Sequence, residues 1–329
     1  CLMVRLFLLR KSLTSSILVD KKISHTKMSG EVEPASELTP ELRAFVEFVA
    51  KKGCELYRDL PWRRTYDPYA IWISEVMLQQ TQVSRVDGRW QRWLERFPTV
   101  DALAAAAPSD VLEEWQGLGY NRRALSVHRA AQAISEAGGV FPQDPKELVK
   151  LPGIGPATAA GIRAFAFNLH GVYLETNVRT VFLHELYPQA EGVPDSELVP
   201  LVELTCPASV ADAAGADETE LTPRSWYYAL LDYGAYLKKT IPNPSRRSKS
   251  HVKQSRFEGS HRQKRAELLR VLLAHKDEGG AVFETLHQEL CQIEVNAGRE
   301  TLDEQVTLGL LEELAKEGFC QKNDEYWLP

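Results

Sequence analysis

Apolar residues recur at helical spacing through most of the chain between residues 40 and 190, again from 225 to 239, and again beyond 262. Leu42, Phe45, Val46 and Val49 share one face of a run that opens on Thr39 and Pro40. That is a capping side chain followed by the residue best suited to a first helical turn. Asp67 and Pro68 open a second run, YAIWISEVMLQQ, and Thr81 opens a third that turns Val83, Val86, Trp90, Trp93 and Leu94 inward. Thr99, Ser109 and Asn121 predict further helix starts, and Gly117, Gly119 and Gly138 predict stops. Alternation with period two is scarce, so the pattern predicts an all-α body over residues 38–245 rather than a sheet domain.

The pattern lapses between Glu191 and Pro223, where the chain is acidic and rich in small residues around one apolar run, LVPLVEL. Within it, ASVADAAGADETEL reads as a solvated insertion, a spacer rather than a site. SWYYALLDYGAYLKK then restores a strong helix. A basic linker follows at 246–262, carrying Arg246, Arg247, Lys249, Lys253, Arg256 and Arg262 against Glu258. Such a run is either solvated surface or a phosphate contact. Within 263–329, AELLRVLLAH, ETLHQELCQI and TLGLLEELAKEGF predict three helices, and CQKNDEYWLP a hairpin or single strand. That order suits a small winged-helix-like module, whose acidic second and third helices leave protein contact as open as DNA contact. The apolar run Leu6 to Leu9 is too short to span a membrane; the expectation is a translation start at Met28, with residues 1–37 an upstream extension or disordered tail.

Composition narrows this only a little. A net charge of −6 over 329 residues, with 44% apolar residues, describes a globular protein whose contact with nucleic acid would have to come from local patches and backbone amides. Cys1, Cys54, Cys206, Cys291 and Cys320 never form a C-x-x-C pair, the usage of reduced, structural thiols in a cytoplasmic protein.

The chemistry gathers around LPGIGPATAAG, residues 151–161. Gly153 and Gly155 flank Ile154, and Pro156 starts a helix, so the segment is either an ordinary interhelical turn or a site where free amides at a helix N-terminus receive a phosphate. Glu75 stands on an apolar helix face with Ile71 and Leu78, as an edge residue or as a desolvated acid kept protonated near neutrality. Glu175 precedes a helix capped by Thr176 or Asn177, one turn before Arg179; both the helix end and the arginine would favour its anion. Two carboxyls pushed in opposite directions are what glycosidic cleavage requires, one donating a proton and one stabilising an oxocarbenium-like centre.

SEVMLQQTQV at 74–83, GLGYNRRA at 117–124, LPGIGPATA at 151–159 and ETNVRTV at 175–181 resemble, in order and spacing, the helix-hairpin-helix DNA glycosylases. The bacterial adenine-specific branch is the nearest likeness, with mismatch thymine glycosylases beside it. The resemblance covers about residues 40–240 and implies an all-α, two-subdomain fold and removal of a flipped, mismatched base, adenine opposite guanine or 8-oxoguanine, from double-stranded DNA. Thymine or uracil excision, and lesion binding without catalysis, are the other readings. On this resemblance Glu75 is the catalytic acid and Glu175 the anion, with Asn177 beside it. Gln79, Gln80, Thr81 and Tyr120 fill the gap left in the base stack, and Gly153, Ile154 and Gly155 hold the backbone. A monomer acting on the nucleoid is implied, with no membrane association.

Three departures from the family carry consequences. Glu175 replaces its aspartate and reaches one methylene further. Ala157 stands where bifunctional relatives carry a Schiff-base lysine, which predicts no strong lyase activity. Relatives place four cysteines around an iron–sulfur cluster after the DYGAYLKK helix; here Lys238 takes the first ligand's place and no cysteine follows before Cys291, so no cluster is expected. The basic run, Arg246 and Arg247 in particular, is expected to supply phosphate contacts instead.

Overall fold

The computed structural model describes residues 38–209, 220–251 and 256–329. The proposed tail at 1–37 and most of the acidic spacer lie outside the described residues. The chain runs through α1 (Pro40–Glu55), a 3-10 turn (Pro61–Arg63), α2 (Pro68–Leu78), α3 (Val83–Val86), α4 (Arg89–Arg96), α5 (Val100–Ala105), α6 (Pro108–Trp115) and α7 (Arg122–Glu136). Then come α8 (Pro145–Leu148), α9 (Pro156–Phe167), α10 (Thr176–Glu185), α11 (Asp195–Thr205), α12 (Pro223–Thr240) and a second 3-10 turn (Pro244–Arg247). The C-terminal part holds α13 (His261–Ala274), β1 (Ala281–Val282), α14 (Phe283–Asn296), α15 (Glu304–Glu317), β2 (Gln321–Asn323) and β3 (Tyr326–Leu328).

Two compact units emerge among the described residues: 38–56, 176–205 and 229–251 form one, and 57–175, 206–209, 220–228 and 256–329 the other, with the division falling inside α12. In the first unit Thr39 caps α1 by accepting the Leu42 amide at 3.3 Å, and Leu42, Phe45, Val49 and Gly53 form its buried face. Phe45 meets Phe182 of α10 edge-on at 5.1 Å. The apolar run LVPLVEL lies in α11: Leu198 and Val202 are fully buried, and Pro200 is accommodated inside the helix.

The second unit is built around α2. Asp67 accepts from the Tyr69 and Ala70 amides at 3.1 and 3.3 Å, and nearly every residue from Tyr69 to Met77 is buried, which explains why its apolar pattern wraps round the helix. Trp90 donates from Nε1 to the Ala70 carbonyl at 2.8 Å, and Trp93 to the Tyr69 hydroxyl at 3.2 Å. Trp93 also packs edge-on against Trp115 at 5.5 Å. Each such indole contributes roughly 3 kcal/mol through burial. The single third helix expected from Thr81 is two, α3 and α4, because Asp87 and Gly88 turn the chain, Gly88 at φ 77°.

The C-terminal segment belongs to the same unit, and its apolar core, including Leu268, Leu272, Leu290, Leu311 and Trp327, is continuous with the core around α2. Its three helices carry a small antiparallel sheet in the order β1-β3-β2, the arrangement of a winged-helix-like module. β2 and β3 form the expected hairpin, with Asp324 at φ 52° in its tight turn; the two-residue β1 was too short to show in the pattern. Ion pairs fix the module to α6 and α7: Glu317 takes Arg265 at 2.8 Å and Arg122 at 2.7 Å, and Lys276 reaches Asp110 and Glu113 at 2.9 and 2.8 Å. Among the described residues no helix is long and apolar enough to cross a membrane.

Candidate active site

Glu75 keeps only part of its surface accessible. Loss of water around its carboxyl pushes it up to about 8; the Tyr173 hydrogen bond partly opposes this, the Glu175 charge adds to it, and Arg63 opposes it weakly. The Tyr173 hydroxyl donates to Glu75 Oε2 at 2.9 Å, and burial among carboxylates holds that phenol well above its ordinary range, so it remains a donor. Glu75 therefore carries a proton at neutral pH with one oxygen already occupied as an acceptor. Gly161, in the middle of α9, makes room for this arrangement: a Cβ there would collide with Glu75 Oε2 and come within 2.9 Å of the Tyr173 ring.

Glu175 is the last residue before α10, so it occupies the capping position expected for Thr176 or Asn177. It is near enough to Glu75 for its charge to be felt there. Arg179, expected to support this anion, forms a bidentate pair with Asp195 at 2.9 Å for both bonds. That leaves the helix N-terminus as the support named from sequence. Asn177, on the first turn of α10, lies in the first unit, where its backbone packs so closely on Gly234 of α12 that a Cβ there would meet the Asn177 carbonyl carbon at 2.7 Å.

Gln79, Gln80 and Thr81 form the loop that leaves α2, and Tyr120 the tip of the loop between α6 and α7. Gln80 and Tyr120 are exposed and both take left-handed backbone, φ 54° and 50°, although neither is glycine. Gln79 turns inward, its Nε2 donating to Thr158 Oγ1 on α9 at 3.0 Å. Thr81 is also held within the protein: Arg123 donates to its hydroxyl at 3.2 Å.

The hairpin joins α8 to α9. Gly153 needs to be glycine twice over, by its φ of 75° and because a Cβ would sit 2.6 Å from that of Ser126. Gly155 has φ −85°, so the special backbone angle expected there is absent, and since a Cβ would meet nothing within 4 Å, no contact within the protein requires glycine there. Ile154 anchors the turn through a buried side chain, and its N–H is taken by the Leu151 carbonyl at 3.1 Å. The open face of α9's N-terminus, with no side-chain cap, is then the part able to receive a phosphate. Ala157 stands exposed on that first turn.

Arg246 is exposed as expected, but Arg247 is not available in the way expected of it. Its guanidinium donates to the Leu183 carbonyl at 2.8 Å, to the Ala190 carbonyl at 3.3 Å and to the Tyr187 carbonyl, capping the end of α10. Its backbone carbonyl accepts from Val193 N at 3.0 Å. The segment after α12 thus offers Lys, Ser, Pro and Arg where an iron–sulfur cluster would need thiolates, and these residues do not fit such a group.

Sequence reasoning missed Tyr173, Gly161 and Arg123. A glycine inside an otherwise apolar helical run was the available signal for Gly161; Tyr173 and Arg123 had none.

Residues 73–222 match the model of the HhH-GPD superfamily base excision DNA repair proteins. The chain is 37% identical over 223 residues to an adenine DNA glycosylase of Mycolicibacterium smegmatis, covering 65% of this chain and 75% of that protein. It is 36% identical over 234 residues to one of Mycobacterium tuberculosis, covering 66% and 75%. Among solved structures, a thermostable thymine-DNA glycosylase superposes with a TM-score of 0.52 at 22% identity, over 62% of this chain and 90% of that one, which supports the fold. The chain therefore belongs to the HhH-GPD superfamily of base excision DNA repair proteins, on the branch of the adenine DNA glycosylases.

Proposed function

We propose that the protein is a monofunctional DNA glycosylase that flips adenine out of a mismatch with guanine or 8-oxoguanine in duplex DNA and hydrolyses its N-glycosidic bond. The observation that carries this reading is the half-buried Glu75 carboxyl, which accepts from the Tyr173 hydroxyl at 2.9 Å and is held protonated by loss of water, with the Glu175 charge close by. Glu75 gives its proton to a ring nitrogen of the purine, which then leaves with the bonding electron pair. Glu175 stabilises the cationic sugar until water adds, and the proton released restores Glu75. The exposed N-terminus of α9 suits a DNA phosphate, and the exposed Gln80 and Tyr120 suit the gap left by an extruded base.

Ala157, having no amine, supports hydrolysis without a covalent imine. The monomeric state, the nucleoid location and the lack of an iron–sulfur cluster belong to the same reading. Single-turnover excision from duplexes with A opposite G, A opposite 8-oxoguanine, T opposite G and U opposite G tests it. Adenine release from the first two, abolished in Glu75→Gln, is expected. Preferential release of thymine or uracil, or binding with no base released, overturns the substrate or the enzyme reading respectively. High-yield borohydride trapping overturns the monofunctional one, and absorbance near 400 nm in the purified protein overturns the clusterless one.

A further inference from the structure

We propose that Arg123 is the positioning residue that locks both wedge loops into one strained arrangement, so that base extrusion depends on a side chain lying behind the residues that enter the duplex. Its guanidinium spans two loops far apart in sequence. One terminal nitrogen donates to the carbonyls of Val76 at 2.7 Å, Met77 at 3.2 Å and Gln79 at 2.7 Å, where α2 ends. The other donates to Thr81 Oγ1 at 3.2 Å and to the carbonyls of Leu118 at 3.2 Å and Gly119 at 2.9 Å. The guanidinium carbon lies 5.2 Å from the Trp115 ring and 5.5 Å from that of Tyr120, so it also supports the wedge aromatic from behind.

The two residues beyond these bonds, Gln80 and Tyr120, hold left-handed backbone. For a residue with a Cβ that conformation is disfavoured by about tenfold, so surrounding bonds must impose it at both places. The second loop is gripped on its other flank as well: Arg89 donates to the Gln116 carbonyl, and Gly117, at φ 84°, leaves room for the Arg89 guanidinium. Burial lowers the Arg123 guanidinium to about 10, still charged at neutral pH. A planar fork with several donors can bridge the two loops; an ammonium at the same place is a single point and cannot hold both.

The inference rests on the glycosylase reading for its function. Its test therefore reads extrusion separately from excision. 2-Aminopurine is placed beside the mismatched adenine, and its fluorescence on binding is compared for the Glu75→Gln protein with and without Arg123→Lys. Arg123→Lys is expected to reduce the extruded fraction by about tenfold while affinity for undamaged duplex changes by less than about threefold. In the protein that retains Glu75, excision should fall similarly on an A-G duplex, and much less when adenine faces an abasic spacer and extrusion is easy. Thr81→Val removes one acceptor with little change of shape and should give a smaller loss in the same direction, which keeps the test decisive if Arg123→Lys does not fold. Unchanged extrusion, or equal loss on paired and spacer substrates in step with lost thermal stability, overturns the positioning role. If the unaltered protein releases no base from any duplex, the glycosylase reading fails, and the fluorescence comparison still judges Arg123.

Discussion

Replacing Glu75 with glutamine removes one titrating group while preserving the side chain's shape and its ability to accept from the Tyr173 hydroxyl 2.9 Å away. The folded protein holds this carboxyl at about 8 and the unfolded chain returns it to its ordinary 4.5. Between those values the native state binds more protons than the unfolded state, so native stability is lost as pH rises from 4.5 through about 8 and is level beyond. At roughly 1.4 kcal/mol per pH unit the gap sets a ceiling of about 5 kcal/mol, and water reaching the partly accessible side chain reduces it to about 2–3 kcal/mol. Glu75→Gln lacks this loss. The two proteins should melt together near pH 5, whereas near pH 9 the variant should melt higher by about 5–10 °C. Thermal denaturation followed by circular dichroism from pH 5 to 9 measures the difference. On the proposed mechanism the same proton is the one given to the leaving base, so the single-turnover rate of the unaltered protein should fall about tenfold per pH unit above pH 8. A melting difference independent of pH, or a rate already falling from pH 5, would refute the desolvated-acid argument.

Gly161→Ala should retain the fold yet slow excision by about a hundredfold in single-turnover assays, because its Cβ collides with the Glu75 carboxyl and crowds Tyr173. Arg247→Ala should destabilise the protein by about 2–3 kcal/mol in urea titration, since it uncaps the carbonyls at the end of α10. Arg246→Ala should leave stability alone and reduce the salt dependence of duplex binding by about one counterion. Glu317 sits between Arg122 and Arg265 and is held down to about 2, so its contribution is present above pH 4.5 and lost as pH falls through 2. Glu317→Gln should therefore speed hydrogen exchange in α13 and α15 at pH 7 by about tenfold, with α2 unaffected.

What the amino-acid pattern disclosed was local. Thr39 and Asp67 cap their helices as expected, Gly153 makes the turn that needs it, and Glu75 stands on a helix whose apolar surround is legible from Ile71, Trp72, Val76 and Met77. What it concealed depends on partners far away in the chain. Arg179 looked like support for Glu175 because they are four residues apart, but Asp195 offers both carboxylate oxygens in bidentate geometry. Arg247 looked like one more charge in a basic run, yet the Leu183 carbonyl in the last turn of α10 and those of Tyr187 and Ala190 just beyond it lie within its reach. Tyr173 lies 98 residues from Glu75 and sits in a loop with no periodicity to mark it. LVPLVEL was legible only as a short apolar run, because the acidic and small residues around it hide the two buried positions, Leu198 and Val202, that make it a helix face.

The consecutive arginines of GLGYNRRA divide two tasks. Arg123 turns inward to the loops that end α2 and precede α7, whereas Arg122 turns outward to Glu317 of the C-terminal module. Trp115, at the end of α6, donates to the Gly119 carbonyl at 3.1 Å, and the module's Lys276 grips Asp110 and Glu113 on that same helix. The loop bearing Tyr120 is thus fixed at both ends, by bonds from within the helical body and by ion pairs from the module behind it. The acids of α15 that made the module look unlike a DNA reader are in part paired: Glu313 takes Arg265 of the module's own α13 at 2.9 Å, and Glu317 takes that arginine and Arg122 of α7. On the proposed reading, the elements that meet DNA are backbone amides at α9, two strained exposed side chains and one protonated carboxyl, none of which adds positive charge. A protein of net charge −6 can therefore be organised for a polyanion.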